Sequence, residues 1–269
     1  MYLLNKTLKL ILLISLLLST NALAKTINDK SLTQIMELSG LNEQIAQYPL
    51  MIVAGMEQAK SQGSPVDENK FSKVKSLLLD SYNANIMLRI IKDEIKKNTS
   101  QKDADVLLKW YKSKLGMEIT QAEKDSTNTS AYESMIQEAP VLLQNKKRVY
   151  FARMVDRSID ATQMTIQIQK NSSVAIFTAI SKIMEPEKDI DVEKFKIMMA
   201  AQDKQIEVNI EQMTILSFVY SYKNISIQNL ETYVVFLQKE DVRRFNKSIV
   251  NGIVKALNNA SDKMTKKLN

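Results

Sequence analysis

Residues Asn145 to Met184 read NKKRVYFARMVDRSIDATQMTIQIQKNSSVAIFTAISKIM. Ala152, Val155, Ile159, Thr162, Ile166, Ser173, Phe177, Ile180 and Met184 recur in this stretch at spacings of three, four or seven. A helix returns to one face every 3.6 residues, whereas a strand alternates faces at every second residue, so the spacing demands a helix. At 1.5 Å of rise per residue it predicts one helix of about 60 Å. Glu185-Pro186 stops it, because the residue before a proline is driven out of helical conformation.

The same periodicity runs outward in both directions. Ser31 caps a predicted short helix ending at Gly40. Leu41, Ile45, Ile52, Val53 and Met56 mark a second, bent or interrupted at Pro49 and closed by Gly63. Ser64-Pro65 with Asp67 and Glu68 opens a third, with a stripe of Phe71, Val74, Leu78, Tyr82 and Ile86. Ser100 caps a helix carrying Leu107, Leu108, Tyr111 and Leu115, which meets Gly116. Lys124 to Ser130 is the best loop candidate, and Pro140 starts or kinks the helix after it. Asp191 caps a long helix striped by Phe195, Met199, Ile206, Ile210, Met213, Leu216 and Tyr220 and ended by Asn224. Ser226 caps a short helix with Tyr233, Phe236 and Leu237 to bury. Asp241 caps the last. With only 5 Gly and 4 Pro in 269 residues, the expectation is an all-α helical bundle of long amphipathic helices.

Laid over itself with an offset of 125 residues, the chain sets Leu88 against Met213, Ile91 against Leu216, Leu108 against Tyr233 and Tyr111 against Phe236. Two readings are open: a true duplication, or the partial match any two amphipathic helices give. The division would put an N-terminal half at residues 25–144 and a C-terminal half at 145–269, as two related units or one continuous core.

The first residues carry Lys6 and Lys9 ahead of the apolar run Leu10 to Leu18, too short for a stable membrane anchor. Ala22-Leu23-Ala24 then places small residues at the two positions a signal peptidase must accommodate, so residues 1–24 read as a signal peptide cleaved after Ala24. The mature chain would begin at Lys25, keep 245 of the 269 residues and drop from a net charge of +7 to +5. There is no cysteine, so neither a lipid-modified cysteine nor a disulfide is expected. Export without cysteine points to a bacterial envelope and the periplasm. No later apolar run has membrane-spanning length, and +5 gives little support for nucleic-acid binding.

The segment Leu108-Lys109-Trp110-Tyr111-Lys112-Ser113-Lys114-Leu115-Gly116 resembles the marker of a family of exported, mostly proteobacterial proteins called domain of unknown function 2059. That marker is an aromatic pair, one residue, Ser, usually Pro, one residue, then Gly. Trp110, Tyr111, Ser113 and Gly116 fit, while Lys114 stands where proline is common. Glu231 to Lys239 resembles a more eroded copy without the glycine. The resemblance implies an exported helical protein and brings no catalytic or binding residues. Physically, Trp110 and Tyr111 suit burial where one helix turns into the next, with Ser113 capping the following turn and Gly116 relieving crowding.

The chain has no histidine, which removes the commonest general base and transition-metal ligand, and without cysteine there is no thiol nucleophile. Ser-His-Asp, Cys-His and zinc-hydrolase designs are excluded. Ser72 and Lys75 form a Ser-x-x-Lys pair, and Ser81-Tyr82-Asn83 echoes a second penicillin-binding motif, but both sit on one predicted helix and no Lys-Thr-Gly strand follows. Asp103 with Asp105, and Asp189, Asp191 and Glu193, lack the glycine turn and distal glutamate of a calcium loop, and read as helix-start carboxylates. No catalytic residue, cofactor or metal ligand is assigned.

From Val242 to Asn269 seven basic residues face one acid, Asp262. Phe245, Ile249, Ile253, Leu257 and Met264 make the apolar side, and Arg243, Arg244, Lys247, Lys255 and Lys263 the basic one, which suits either a packed helix with a soluble outer face or contact with an anionic surface. The sequence therefore leads to a non-catalytic envelope interaction or scaffold module as the first expectation. A helical carrier or surface binder of lipid or another amphiphile is the alternative, and a carboxylate-based hydrolase a distant third. The partner, an envelope protein or an amphiphile, and the oligomeric state are left open.

Overall fold

In the computed structural model, residues 25–61, 67–184, 187 and 189–268 are described. They form helices and no strand beyond one isolated antiparallel bridge, Thr26 to Ser100. The signal-peptide segment, Ser64-Pro65 and Glu185-Pro186 lie outside the described residues.

The chain enters as an extended segment held by backbone bonds, Ile27 N–H to Thr99 O (3.1 Å) and Gln101 N–H to Lys25 O (2.7 Å). Helix α1 (Asp29–Leu38) comes next, capped by Asn28 and not Ser31: the Asn28 side chain accepts from the Ser31 N–H. Ser31 has helical neighbours on both sides because Asn28 satisfies the free N–H groups one turn earlier. Helix α2 (Leu41–Ser61) runs through Pro49. Helices α3 (Glu68–Ser81) and α4 (Ala84–Asn98) divide what the stripe from Phe71 to Ile86 predicts as one helix. Asp67 caps α3, and Asn83 restarts the chain by accepting from the N–H groups of Asn85 and Ile86.

Helix α5 (Gln101–Tyr111) opens on a reciprocal capping box between Ser100 and Asp103, and Ser113 caps α6 (Lys114–Asp125). Gly116 thus lies in the first turn of α6, not at the end of α5. The predicted loop shrinks to residues 126–128 before α7 (Thr129–Leu142), which contains Pro140. The predicted 60 Å helix is two, α8 (Lys146–Ile159) and α9 (Ala161–Met184), broken at Asp160 in left-handed conformation (φ 61°). Asp tolerates that region better than most residues, and Asp156 Oδ1 accepts the Thr162 N–H (2.7 Å) to restart the helix.

The long helix expected from Asp191 is likewise two, α10 (Val192–Ala200) and α11 (Asp203–Ser221). Asp191 does cap α10. The break falls at Ala201 and Gln202, although Ala200 and Ala201 favour continuation, and Phe195 stacks on Phe177 of α9 at 4.0 Å, which holds α10 against α9. Helix α12 (Ile227–Leu237) is capped by Ser226, and α13 (Glu240–Leu268) completes the fold with Asp241 in its first turn, one residue past the helix start, instead of capping it.

The most extensively packed pair is α4 with α13. Gly252, Ala256 and Ala260 repeat every four residues along α13, giving a ridge of small residues over which another helix can approach closely. A Cβ built on Gly252 would lie 3.0 Å from the Ile91 Cα, so the two backbones meet there. One apolar core contains Ile35 and Met36 of α1, Ile91 and Ile95 of α4, Leu107 of α5, Val155 of α8 and Phe245 and Leu257 of α13. Residues on both sides of position 145 therefore share it. At about 25 cal/mol per Å² of apolar surface, this burial is the main term holding the bundle.

Candidate functional site

Two places collect the residues singled out in the sequence. The first is the aromatic segment. Trp110 leaves the end of α5 and lies flat on Phe236 of α12, ring centres 4.2 Å apart and planes 8° from parallel, and also stacks on Tyr233 at 5.7 Å. Ser113 stitches the turn below: its hydroxyl donates to Trp110 O (2.7 Å) and accepts the Gly116 N–H (3.0 Å). A Cβ at Gly116 would fall 2.1 Å from Trp110 O, so only glycine lets this tight turn close.

Behind the stack Glu123 of α6 accepts hydrogen bonds from the Tyr222 and Tyr233 hydroxyls at one oxygen, Oε1, at 2.6 and 2.9 Å. Removal from water pushes the Glu123 carboxyl above its usual range, and the two phenol hydrogen bonds only partly offset this. The same burial, with the Glu123 charge beside them, drives Tyr222 and Tyr233 well above the ordinary phenol range. Tyr111 is raised as well, first by burial and then by Glu123. Composition and spacing gave no sign of Glu123, because one Glu on an amphipathic helix looks like any other solvated charge. The cluster has one carboxylate and phenols but no imidazole or thiol, and no group of three or more acidic residues able to hold a metal occurs among the described residues.

The offset between the halves is also sharpened here. Helices α5 and α12 are both 11 residues long, start after Ser100 and Ser226, and lie 126 residues apart; the helices after them begin at Lys114 and Glu240, again 126 apart. At this register Trp110 aligns with Phe236, the residue it stacks on, and Leu107 with Tyr233, both buried. The 125-residue register still pairs buried Ile91 with buried Leu216 in the preceding helices, because the link before α12 is longer than the link before α5.

The second place is the basic side of α13. Three of its five cations are tied to partners: Arg244 to Asp103, Glu240 and Asp241 at 2.6 to 2.7 Å, Lys255 to Glu94, and Lys263 to Asp80 at 3.0 Å. Glu94 and Asp103 are only 7% and 4% exposed, so Lys255 and Arg244 neutralise carboxylates that would otherwise be buried alone. The Lys255 ammonium holds Glu94 below the usual carboxylate range. Burial alone would raise Asp103, but Arg244 and the Ser100 N–H and hydroxyl outweigh it and bring it down. Arg243 and Lys247 have no ion pair among the described residues. They line an open groove of about 970 Å³ between α13 and the α8–α9 turn, with Arg157 on the opposite wall.

The remaining expectations fall elsewhere. Ser72 and Lys75 lie on α3, with Lys75 paired to Glu57 at 2.9 Å. Asp105 bonds the Gln101 amide, and Asp191 is a helix cap. Lys25 is exposed at the start of the described chain.

Comparison with protein-family models, with curated proteins and with solved structures finds no match.

Proposed function

We propose that the protein is an exported, non-catalytic interaction module of the cell envelope, with its docking surface on α7 and the start of α8. The observation that carries this reading is an uncovered apolar stripe. Tyr132, Ile136 and Leu143 succeed one another at helical spacing along one flank and are 55%, 44% and 45% exposed; Val141, on the other flank of α7, and Tyr150 on α8 are exposed as well, at 72% and 58%. Contiguous exposed apolar surface on a small protein commonly marks a contact site. The lack of histidine and cysteine and the continuous apolar core support a role in binding. Membership of the domain of unknown function 2059 family is part of the same proposal, resting on Trp110, Tyr111, Ser113 and Gly116, and adds no activity.

The test is a photo-crosslinking amino acid placed at Ile136 and, as control, at exposed Lys73 on α3, in the native envelope. A discrete adduct at position 136, absent at 73 and lost on Tyr132→Glu, is expected. Equal labelling from both positions would count against the stripe as an interface.

A further inference from the structure

We propose that the furrow between α9 and α13 is a binding site for a single-chain amphiphile with an anionic head group. Two hollows adjoin along α13. The first is the basic groove of about 970 Å³, and the second is a hollow of about 660 Å³ that also reaches α10 and α11; both are lined by Gln167 and Val254. They therefore meet end to end. From Arg243 to Leu257 the furrow tracks 15 residues of one helix, a rise of about 21 Å at 1.5 Å per step.

The two ends differ in chemistry. The first groove is lined by five cations, Arg157, Arg243, Arg244, Lys247 and Lys255, and three carboxylates, Glu94, Asp160 and Glu240. Arg244 and Lys255 are already used by Glu240 and Glu94. Arg157, Arg243 and Lys247 lack ion pairs among the described residues, so the polar end carries uncompensated positive charge, with Asp160 the one unpaired acid facing it. Asn246, on the same wall, has a buried side-chain nitrogen without a hydrogen-bond partner, and buried donors ordinarily find an acceptor. An oxyanion entering this end supplies acceptors and charge together.

At the other end Val174, Met199, Ala200, Val254 and Leu257 supply the apolar part of the wall, among the uncharged polar side chains of Asn171, Asn258 and Ser261 and with Lys196 paired to Glu193 at 2.7 Å. The charge of Lys170 is cancelled there by Asp203 at 2.6 Å, which leaves its aliphatic stem against the hollow. A free inorganic anion would use only the first end, and an uncharged hydrocarbon only the second. The pairing of both in one furrow selects a molecule that has both parts.

The experiment is calorimetric titration of the purified protein with laurate, dodecyl maltoside and acetate, each below micelle-forming concentration. Laurate is expected to bind, dodecyl maltoside at least about tenfold more weakly and acetate without measurable heat. The double variant Arg243→Ala/Lys247→Ala should weaken laurate by at least about tenfold. Met199→Glu, at a half-buried site in the apolar end, should weaken it as well by setting a carboxylate against the chain. Unchanged melting temperatures in all three substitutions show that the fold is intact. Equal affinity for laurate and dodecyl maltoside, indifference to the cation variants, or adsorption to phosphatidylglycerol vesicles with no binding of monomeric laurate would each overturn the site. None of these residues lies on α7, so the outcome is independent of the crosslinking at Ile136.

Discussion

The Trp110 ring lies parallel to the Phe236 ring at 4.2 Å, and these two residues occupy equivalent positions in two capped 11-residue helices 126 residues apart. The contact fastens α5 to α12 and so joins the two halves of the chain. Offset-stacked aromatic pairs contribute about 0.5–1.5 kcal/mol beyond their area burial. Trp110→Ala should therefore cost about 3 kcal/mol, cavity included, read as a lower urea midpoint. A soluble Trp110→Ala protein with an unchanged melting temperature would show that the stack is not structural.

Gly116 sets the turn beneath that stack. Alanine there must move the Trp110 carbonyl, since the added carbon would sit 2.1 Å from its oxygen. Gly116→Ala should destabilise by about 2 kcal/mol or more through overpacking against backbone, although alanine is the better helix former by about 1 kcal/mol. Ser113→Ala, which removes the cap and the hydroxyl's bond to Trp110 O without crowding the backbone, should cost about 1 kcal/mol. Chemical denaturation of both variants checks the order, and a Gly116→Ala protein more stable than wild type would contradict the turn geometry.

Glu123 predicts a pH effect. Its folded-state pKa lies above the unfolded value, so the folded protein holds the proton more tightly. The destabilisation is absent below the ordinary carboxylate range, grows as pH rises from that range through the raised value, and then levels off. Glu123→Gln keeps an oxygen for the Tyr222 and Tyr233 hydroxyls and removes the charge. It should match or exceed wild-type stability at about pH 8 and lose that advantage toward about pH 4. Glu123→Ala, which leaves two phenols without their acceptor, should cost about 2–3 kcal/mol. A Glu123→Gln difference constant across that pH range would mean that the carboxyl is not the titrating group.

The all-helical class was legible because three- and four-residue spacing survives wherever a helix buries one face. Helix breaks were less so. Asp160 ends α8 in left-handed backbone that many residues would resist and Asp accepts, and Asn83 restarts α4 through its side chain, yet neither interrupts the apolar periodicity that suggested continuous helices. Ser31 was a plausible cap displaced by Asn28 three residues earlier. The Trp110 to Gly116 segment was readable as a helix-to-helix turn because the aromatic, the cap and the glycine each have a local role. Glu123 was invisible because its role depends on Tyr222 and Tyr233, about a hundred residues away along the chain, which only tertiary packing brings to it. The sequence treated Arg243, Arg244, Lys247, Lys255 and Lys263 of α13 alike, and only the positions of Asp103, Glu94 and Asp80 on other helices separate the paired from the unpaired.

The N-terminal reading has its own test. Lys25 and Ile27 are pinned by backbone bonds to Gln101 and Thr99, so cleavage after Ala24 would leave both of these bonds intact. Intact-mass measurement of protein recovered from the periplasm of an expressing bacterium should give a chain starting at Lys25. Ala24→Leu, which places a bulky residue at the junction, should retain the uncleaved form. Wild-type protein confined to the cytoplasm and still beginning at Met1 would remove the export proposal.

The cations of α13 allow the sharpest comparison, because Arg244 and Lys247 are one turn apart on the same helix. Arg244 reaches Asp103, whose carboxyl is held low and also closes the α5 capping box; Lys247 has no ion pair among the described residues. Arg244→Ala should cost about 1–2 kcal/mol, less than a fully buried pair because the guanidinium is 42% exposed and screened by solvent. Lys247→Ala should stay within about 0.5 kcal/mol. The Arg244 effect also has a sign in pH: Asp103 is lowered on folding, so its contribution is present above the ordinary carboxylate range and fades as pH falls through the lowered value. Urea melts of both variants at neutral and acid pH should show a gap that narrows on acidification. Equal losses from the two substitutions would mean that the Asp103 pair contributes nothing, and that α13 carries its charge only on its surface.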